Sequence, residues 1–229
     1  DLLIRIFCRP GIDSVMIERP TYGAYRVFAD LNGVEVIDAR LKEDYTLDIP
    51  RMEEVMAQRK PKIVFICSPN NPTGSLYSKE DILRIADANK GITVIDEAYI
   101  DFSGEEGMWR AIEGNRRIVV LRTMSKAWSL AGARVGIIVS DPEIQRAVMK
   151  AKPPYNVSQL SQQAALDMLS RKDEIAGTLS QILSERERLS SFFRTLPFIS
   201  EVFHSDSNFI LVRTFDAERL YDYLAARSI

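Results

Sequence analysis

Cysteine and histidine are nearly absent from this 229-residue sequence, which has only Cys8, Cys67 and His204. These three lie far apart and match no metal-ligand spacing. That excludes a disulfide framework and a Cys/His zinc site, and a reducing, cytoplasmic setting is expected. Neither charge is in surplus: 30 Lys and Arg stand against 32 Asp and Glu, a formal charge of -2, so nothing is left over to neutralise a nucleic-acid backbone. No apolar run reaches the ~20 residues that a bilayer span requires. The opening residues also lack the basic segment, apolar run and small residues of an export signal. Gly-x-Gly-x-x-Gly and Gly-Lys-Ser/Thr are missing too, which argues against a dinucleotide or nucleoside-triphosphate site. What is plentiful is core material: 46% of the residues are hydrophobic, enough for one large domain or two small ones.

Short apolar runs rich in Val and Ile occur at 14–17, 34–37, 63–67, 93–95, 118–121 and 135–139. Such nearly continuous runs suit strands covered on both faces. Helical patterns fall between them at 22–31, 49–58, 79–89 and 109–115, and this alternation predicts a mostly parallel, doubly wound α/β sheet. After Asp141 and Pro142 the pattern turns helical (143–150, 158–170, 174–196), followed by strands at 199–204 and 209–213 and a helix at 217–226. Pro153 and Pro154 break the helical run as a hinge. The expected division is a large α/β domain over 1–151 and a smaller α+β domain over 152–229. The first residues, Asp1 to Phe7, have no initiator Met and enter an amphipathic helix already under way, so the sequence reads as the interior of a longer gene product.

Ligands of open parallel sheets bind beyond the carboxyl ends of the strands, so polar residues placed just after strand-like runs are the ones to inspect. The run 63–67 leads into Ser68-Pro69-Asn70-Asn71-Pro72-Thr73-Gly74, a rigid turn carrying an amide. The run 93–95 leads into Asp96-Glu97-Ala98-Tyr99, with a carboxylate and a phenol. The run 118–121 leads into Arg122-Thr123-Met124-Ser125-Lys126 and on to Arg134. Together these bring an amine, two hydroxyls, a guanidinium, a carboxylate, a phenol and an amide to one edge. That set suits an aldehyde cofactor bearing a phosphate.

The segments PTYG (Pro20 to Gly23), SPNNPTG (Ser68 to Gly74), DEAYIDF (Asp96 to Phe102) and TMSKAWSLAGAR (Thr123 to Arg134) occur in an order that resembles fold-type-I pyridoxal-phosphate aminotransferases, above all the histidinol-phosphate subgroup. The resemblance runs from Asp1 to Ile229. It implies a three-layer α/β/α fold and pyridoxal 5'-phosphate as cofactor. It also implies a homodimer and small-molecule partners, an amino donor and a 2-oxo acid, with no nucleic acid and no membrane. The implied reaction moves the amino group of L-histidinol phosphate to 2-oxoglutarate. Lys126 is then the Schiff-base lysine and proton carrier, and Asp96 the partner of the ring nitrogen. Asn71 and Tyr99 are donors to the phenolic oxygen, Tyr22 stacks on the ring, and Thr123, Ser125 and Arg134 hold the phosphate. The family's N-terminal arm, its small-residue phosphate loop and its carboxylate-binding arginine are expected outside these 229 residues; Arg213, Arg219 and Arg227 do not sit in the matching motif.

Several plainer readings stay open beside these. Asp96 suits a helix cap or turn, Tyr22 a core position, and Thr123 the end of any strand. Gly74 is structural on either reading. His204 and Cys67 read as structural, and Glu97 and Asp101 receive no chemistry. Tyr155 and Asn156 are candidates for the mouth of the site. Transfer to an aromatic 2-oxo acid, decarboxylation of threonine phosphate, and a non-catalytic α/β binding module remain as alternatives.

Overall fold

The strands form because their residues are apolar on both faces. In a computed structural model describing residues 1–229, β3 (Ile63–Cys67) and β4 (Ile92–Asp96) are almost wholly buried. They lie at the centre of a six-stranded sheet with β1 (Ser14–Arg19), β2 (Glu35–Arg40), β5 (Ile118–Thr123) and β6 (Gly136–Ser140), in the order β2-β1-β3-β4-β5-β6. The first five strands are mutually parallel, and β6 runs antiparallel to β5. Side chains alternate between two cores. Val64, Ile66, Ile95, Ile118 and Val120 face one way, onto Met52, Val55, Ile82 and Ile85. Ile63, Phe65, Val94 and Val119 face the other way, onto Leu3, Ile4, Tyr25, Ala29 and Val148.

The helices that cover these faces are α1 (Leu2–Phe7), α2 (Ala24–Leu31), α3 (Ile49–Arg59), α4 (Lys79–Ala88) and α5 (Pro142–Ala151). Their starts are set locally. The side chains of Asp48, Ser78 and Asp141 accept backbone N–H groups of Arg51, Asp81 and Glu143, and proline occupies the first turn of α3 and α5. The chain continues through α6 (Gln159–Leu169), the long α7 (Lys172–Phe193), an antiparallel pair of β7 (Ile199–Val202) and β8 (Val212–Thr214), and α8 (Ala217–Ala225).

Two features of the topology position the site. β2 and β3 flank β1 on opposite sides, so the strand order reverses between β1 and β3, and a crevice opens at their carboxyl ends. The register is also level: Cys67 pairs with Asp96, and Asp96 pairs with Leu121. The segments beginning at Ser68, Glu97 and Arg122 therefore leave the sheet along one edge.

Three sequence expectations need correction. The helix expected at 109–115 is a single 3-10 turn, Trp109–Ile112. The six residues between Gly107 and Gly114 are too few to nucleate an α-helix, and Met108 N–H is drawn to the Glu97 carboxylate instead. The strand expected from Phe209 starts at Val212, because Ser205 to Phe209 forms a separate turn: Ser205 Oγ donates to Phe209 O, and Asp206 N–H donates to Gly74 O at 2.8 Å. The helix expected from Tyr22 begins at Ala24.

Gly107 has φ +88°, and a Cβ there would meet Arg122 and both carboxylate oxygens of Glu97 at 2.5–2.6 Å. Those two side chains form an ion pair in which Glu97 is 1% exposed. Gly107→Ala is therefore expected to lower the unfolding free energy of the full-length protein by about 2–4 kcal/mol. Gly177→Ala, inside α7 with open space around it, is expected to raise it by about 0.5–1 kcal/mol. Denaturant titration of the two variants checks both signs.

Candidate active site

Asp96 ends β4 at the bottom of a cleft of about 540 Å³. Burial raises its carboxyl above the ordinary range, and two donors oppose that rise: Tyr25 Oη–H to Oδ2 at 2.7 Å and Ala98 N–H to Oδ1 at 3.0 Å. Tyr25 is buried on α2, stacked on Phe65 with centroids 4.9 Å apart. Tyr22, three residues earlier, meets its edge at 5.6 Å and stays half exposed at the cleft.

Lys126 owes its position to its neighbours. Met124 and Ala127 are buried, Ala127 beneath Tyr99 and Phe102, so the backbone turns Ser125 and Lys126 outward. Ser129 N–H closes this turn on Lys126 O at 3.0 Å. The Lys126 amine lies 5.3 Å from the Tyr99 ring centroid and has no hydrogen bond or ion pair with the protein. It stands unpaired above an aromatic face. Asn71 Nδ2 donates to Tyr99 Oη at 3.5 Å, which places the amide and the phenol side by side.

At the other end of the cleft, Arg134 is exposed, with a left-handed backbone at φ 56° and one guanidinium nitrogen donating to Ala131 O. Its remaining donors are free for an anion. Ser125 lies nearby with its hydroxyl unengaged. Thr123 is different: its hydroxyl donates to Val135 O and accepts Ser125 N–H. Its single proton is already committed to shaping the turn.

All eight residues singled out from sequence (Tyr22, Asn71, Asp96, Tyr99, Thr123, Ser125, Lys126, Arg134) line this one cleft. Tyr155 and Asn156 do not: Tyr155 is 97% exposed, and Asn156 accepts from Lys152. His204 is also exposed, its ring beside Asp206. The sequence reading missed Tyr25, which follows Tyr22 by three residues and lies on α2, whereas Tyr22 precedes that helix. It also missed Asn70, a fully buried amide that donates to Pro20 O and Thr73 Oγ1 and so joins the turn after β3 to the segment after β1. Gly74, with φ +78°, closes that turn; a Cβ there would meet Ser205 Oγ at 2.5 Å.

The donor set fits a planar phosphorylated aldehyde. The cleft holds an unpaired amine, a carboxylate at its floor with one donor on each oxygen and no cation, a phenol–amide pair, and a guanidinium with a free hydroxyl at the far end.

The chain is similar in sequence and fold to known aminotransferases. Histidinol-phosphate aminotransferases of Cytophaga hutchinsonii and Parabacteroides distasonis are 45% and 42% identical to this chain over 229 residues. The alignments cover 98% and 100% of the chain but 64% and 66% of those proteins, so the chain spans slightly less than two thirds of their length. Among solved structures, the histidinol-phosphate aminotransferase of Clostridium acetobutylicum superimposes with a TM-score of 0.91 at 28% identity, covering 100% of this chain and 69% of that one. That of Sinorhizobium meliloti, in complex with pyridoxal-5'-phosphate, has the same fold, with a TM-score of 0.89 at 21% identity and coverages of 99% and 62%. A family model for aminotransferases of class I and II matches residues 1–229. The chain belongs to the class I and II aminotransferase family.

Proposed function

We propose that the protein of which these residues are part is a pyridoxal-phosphate-dependent histidinol-phosphate aminotransferase, acting with 2-oxoglutarate in histidine biosynthesis. The observation that carries the reading is the free Lys126 amine in the same cleft as Asp96. The names of its relatives support the substrate. Two separate sheets on either side of Pro153 and Pro154 support a large domain over 1–151 and a small one over 152–229. A homodimer and a cytoplasmic location belong to the same reading.

When bound, pyridoxal phosphate supplies an aldehyde for amine exchange and a protonated ring that accepts the electron pair left at the substrate α-carbon. Lys126 Nζ would be the group that holds the aldehyde carbon and, when free, the base placed to move the proton at the substrate α-carbon. Asp96 keeps the ring nitrogen protonated. Tyr25 and Ala98 support that task by donating to its two oxygens, which holds the carboxyl ionised against the cost of burial. Asn71 and Tyr99 donate to the phenolic oxygen, and Tyr22 lies against the ring. Arg134 and Ser125 hold the phosphate, while Thr123 acts by positioning Ser125 N–H. The apolar residues Phe28, Leu121 and Ala98 in the cleft wall exclude water from the reacting carbon.

Borohydride reduction of the full-length protein with pyridoxal phosphate is expected to fix the label on Lys126, as read by peptide mass spectrometry; a label elsewhere removes the proposal. Lys126→Ala is expected to lower kcat by at least ~10³-fold. Product analysis separates the possible reactions, because release of carbon dioxide in place of an oxo product and glutamate moves the protein to decarboxylation. Tyr25→Phe removes one charge-assisted donor from Asp96 and is expected to cost about tenfold in kcat. It should also shift the acid limb of the rate profile to higher pH, with little change in KM. A profile that stays where it was separates Tyr25 from the task of keeping Asp96 ionised.

A further inference from the structure

Beneath the cleft lies a carboxyl group that the reaction does not use. The β1–β3 ladder pairs Val15 with Ile63, Met16 with Val64 and Ile17 with Phe65, and it ends there. The next residue of β1, Glu18, is 0% exposed and turns its side chain into the gap left where the two strands part. Its Oε1 accepts Cys67 N–H at 2.6 Å, so a side chain supplies what the neighbouring backbone no longer can. Cys67 is the residue in register with Asp96, and the turn bearing Asn71 follows directly after it. Glu18 therefore stands at the topological reversal of the sheet, between the strand end that leads to Tyr22 and the one that leads to Asn71.

The surroundings of Glu18 favour its uncharged form. Thr21 Oγ1 lies 2.8 Å from Asn70 Oδ1 and 3.3 Å from Glu18 Oε1. Asn70 Nδ2 is engaged by Pro20 O and Thr73 Oγ1, so Asn70 Oδ1 must accept, and the single hydroxyl proton of Thr21 serves that shorter contact. Glu18 Oε1 receives only the long, shared edge of that hydroxyl proton, which leaves Cys67 N–H as its one strong donor. Glu18 Oε2 has no partner, which an uncharged carbonyl-like oxygen tolerates far better than half of a buried carboxylate does. The titratable groups facing Glu18 are Asp96 on β4, Cys67 on β3, Tyr25 on α2 and Tyr77 ahead of α4, and none of them is a cation.

We propose that Glu18 is a positioning residue of this site: an uncharged carboxyl that replaces the missing β1–β3 rung and, through Cys67 N–H and the Thr21–Asn70–Thr73 chain, holds the Asn71 turn beside Asp96. It touches neither cofactor nor substrate. The proposal rests on the pyridoxal-phosphate reading only for what the held residues do, since the carboxyl and its network exist without it. Burial, with a smaller contribution from the nearby Asp96, pushes the Glu18 carboxyl up to about 8. A carboxyl that keeps its proton to higher pH in the fold than in the unfolded chain stabilises most at acid pH, and that contribution is lost as pH rises towards 8.

The test is thermal unfolding of full-length protein without added cofactor, at pH 5 to 8, for the wild type, Glu18→Gln and Glu18→Ala. Glutamine keeps an uncharged acceptor and donor and cannot ionise. Its Tm is expected to match the wild type at pH 5 and to exceed it by about 5 °C at pH 8. Alanine is expected to lower Tm throughout and to weaken pyridoxal phosphate about tenfold in a fluorescence titration, whereas glutamine stays within about twofold of the wild type. Parallel Tm curves for wild type and Glu18→Gln would overturn the uncharged carboxyl. Equal cofactor affinities for the alanine variant and the wild type would overturn the positioning role. If no variant and no wild type binds pyridoxal phosphate, the cofactor reading fails, and the Tm comparison still decides the state of Glu18.

Discussion

A carboxylate at the end of a buried strand is stable only where the fold brings donors to it, and much of the cleft follows from meeting that need at Asp96. One donor is local, the N–H of Ala98 two residues on. The other, Tyr25, comes from 71 positions away, and its ring is held by Phe65 on the neighbouring strand. The fully buried contacts of β3 and β4 make this placement rigid, because a shift of either strand would uncover apolar surface on both faces of the sheet.

Three acidic side chains lie at the carboxyl edge of this sheet, and the fold treats each differently. Asp96 is given donors without a cation, which favours the ionised form while leaving room for a positive partner in the cleft. Glu97, the next residue, points to the opposite side and is neutralised by Arg122 and Met108 N–H, which ties the 97–108 segment to β5. Glu18 meets no cation, one of its oxygens has no partner, and burial raises its carboxyl to about 8. Among groups of nearly the same chemistry, the difference lies in which neighbours arrive from elsewhere in the chain.

The order of strands and helices was legible because buried strands write nearly unbroken apolar runs and capped helices write Ser or Asp before an amphipathic stretch. The cleft was legible because parallel strands deliver their following residues to one edge: Asn71, Asp96, Tyr99, Ser125 and Lys126 each lie at or within a few residues of a strand's carboxyl end, and Arg134 lies just ahead of the antiparallel β6. Less was readable where a short segment answers to distant partners. The turn at 109–112 and the late start of β8 both depend on contacts with Glu97 and Gly74, which no local pattern announces. Thr123 looked like a phosphate ligand by type, yet its proton is spent on Val135 O.

The sequence by itself determined the alternation of elements, the kinds of functional group that reach the edge of the sheet, and the aldehyde-and-phosphate chemistry they suit. These are properties of residue type and short spacing, and the backbone period carries them directly. Only the tertiary structure decided that Tyr25 serves Asp96, that Arg122 neutralises Glu97, and that Glu18 sits in the gap between β1 and β3. Protonation state and hydrogen-bond direction depend on the sum of desolvation and neighbouring dipoles in three dimensions, and those neighbours come from segments that meet only when the sheet has formed.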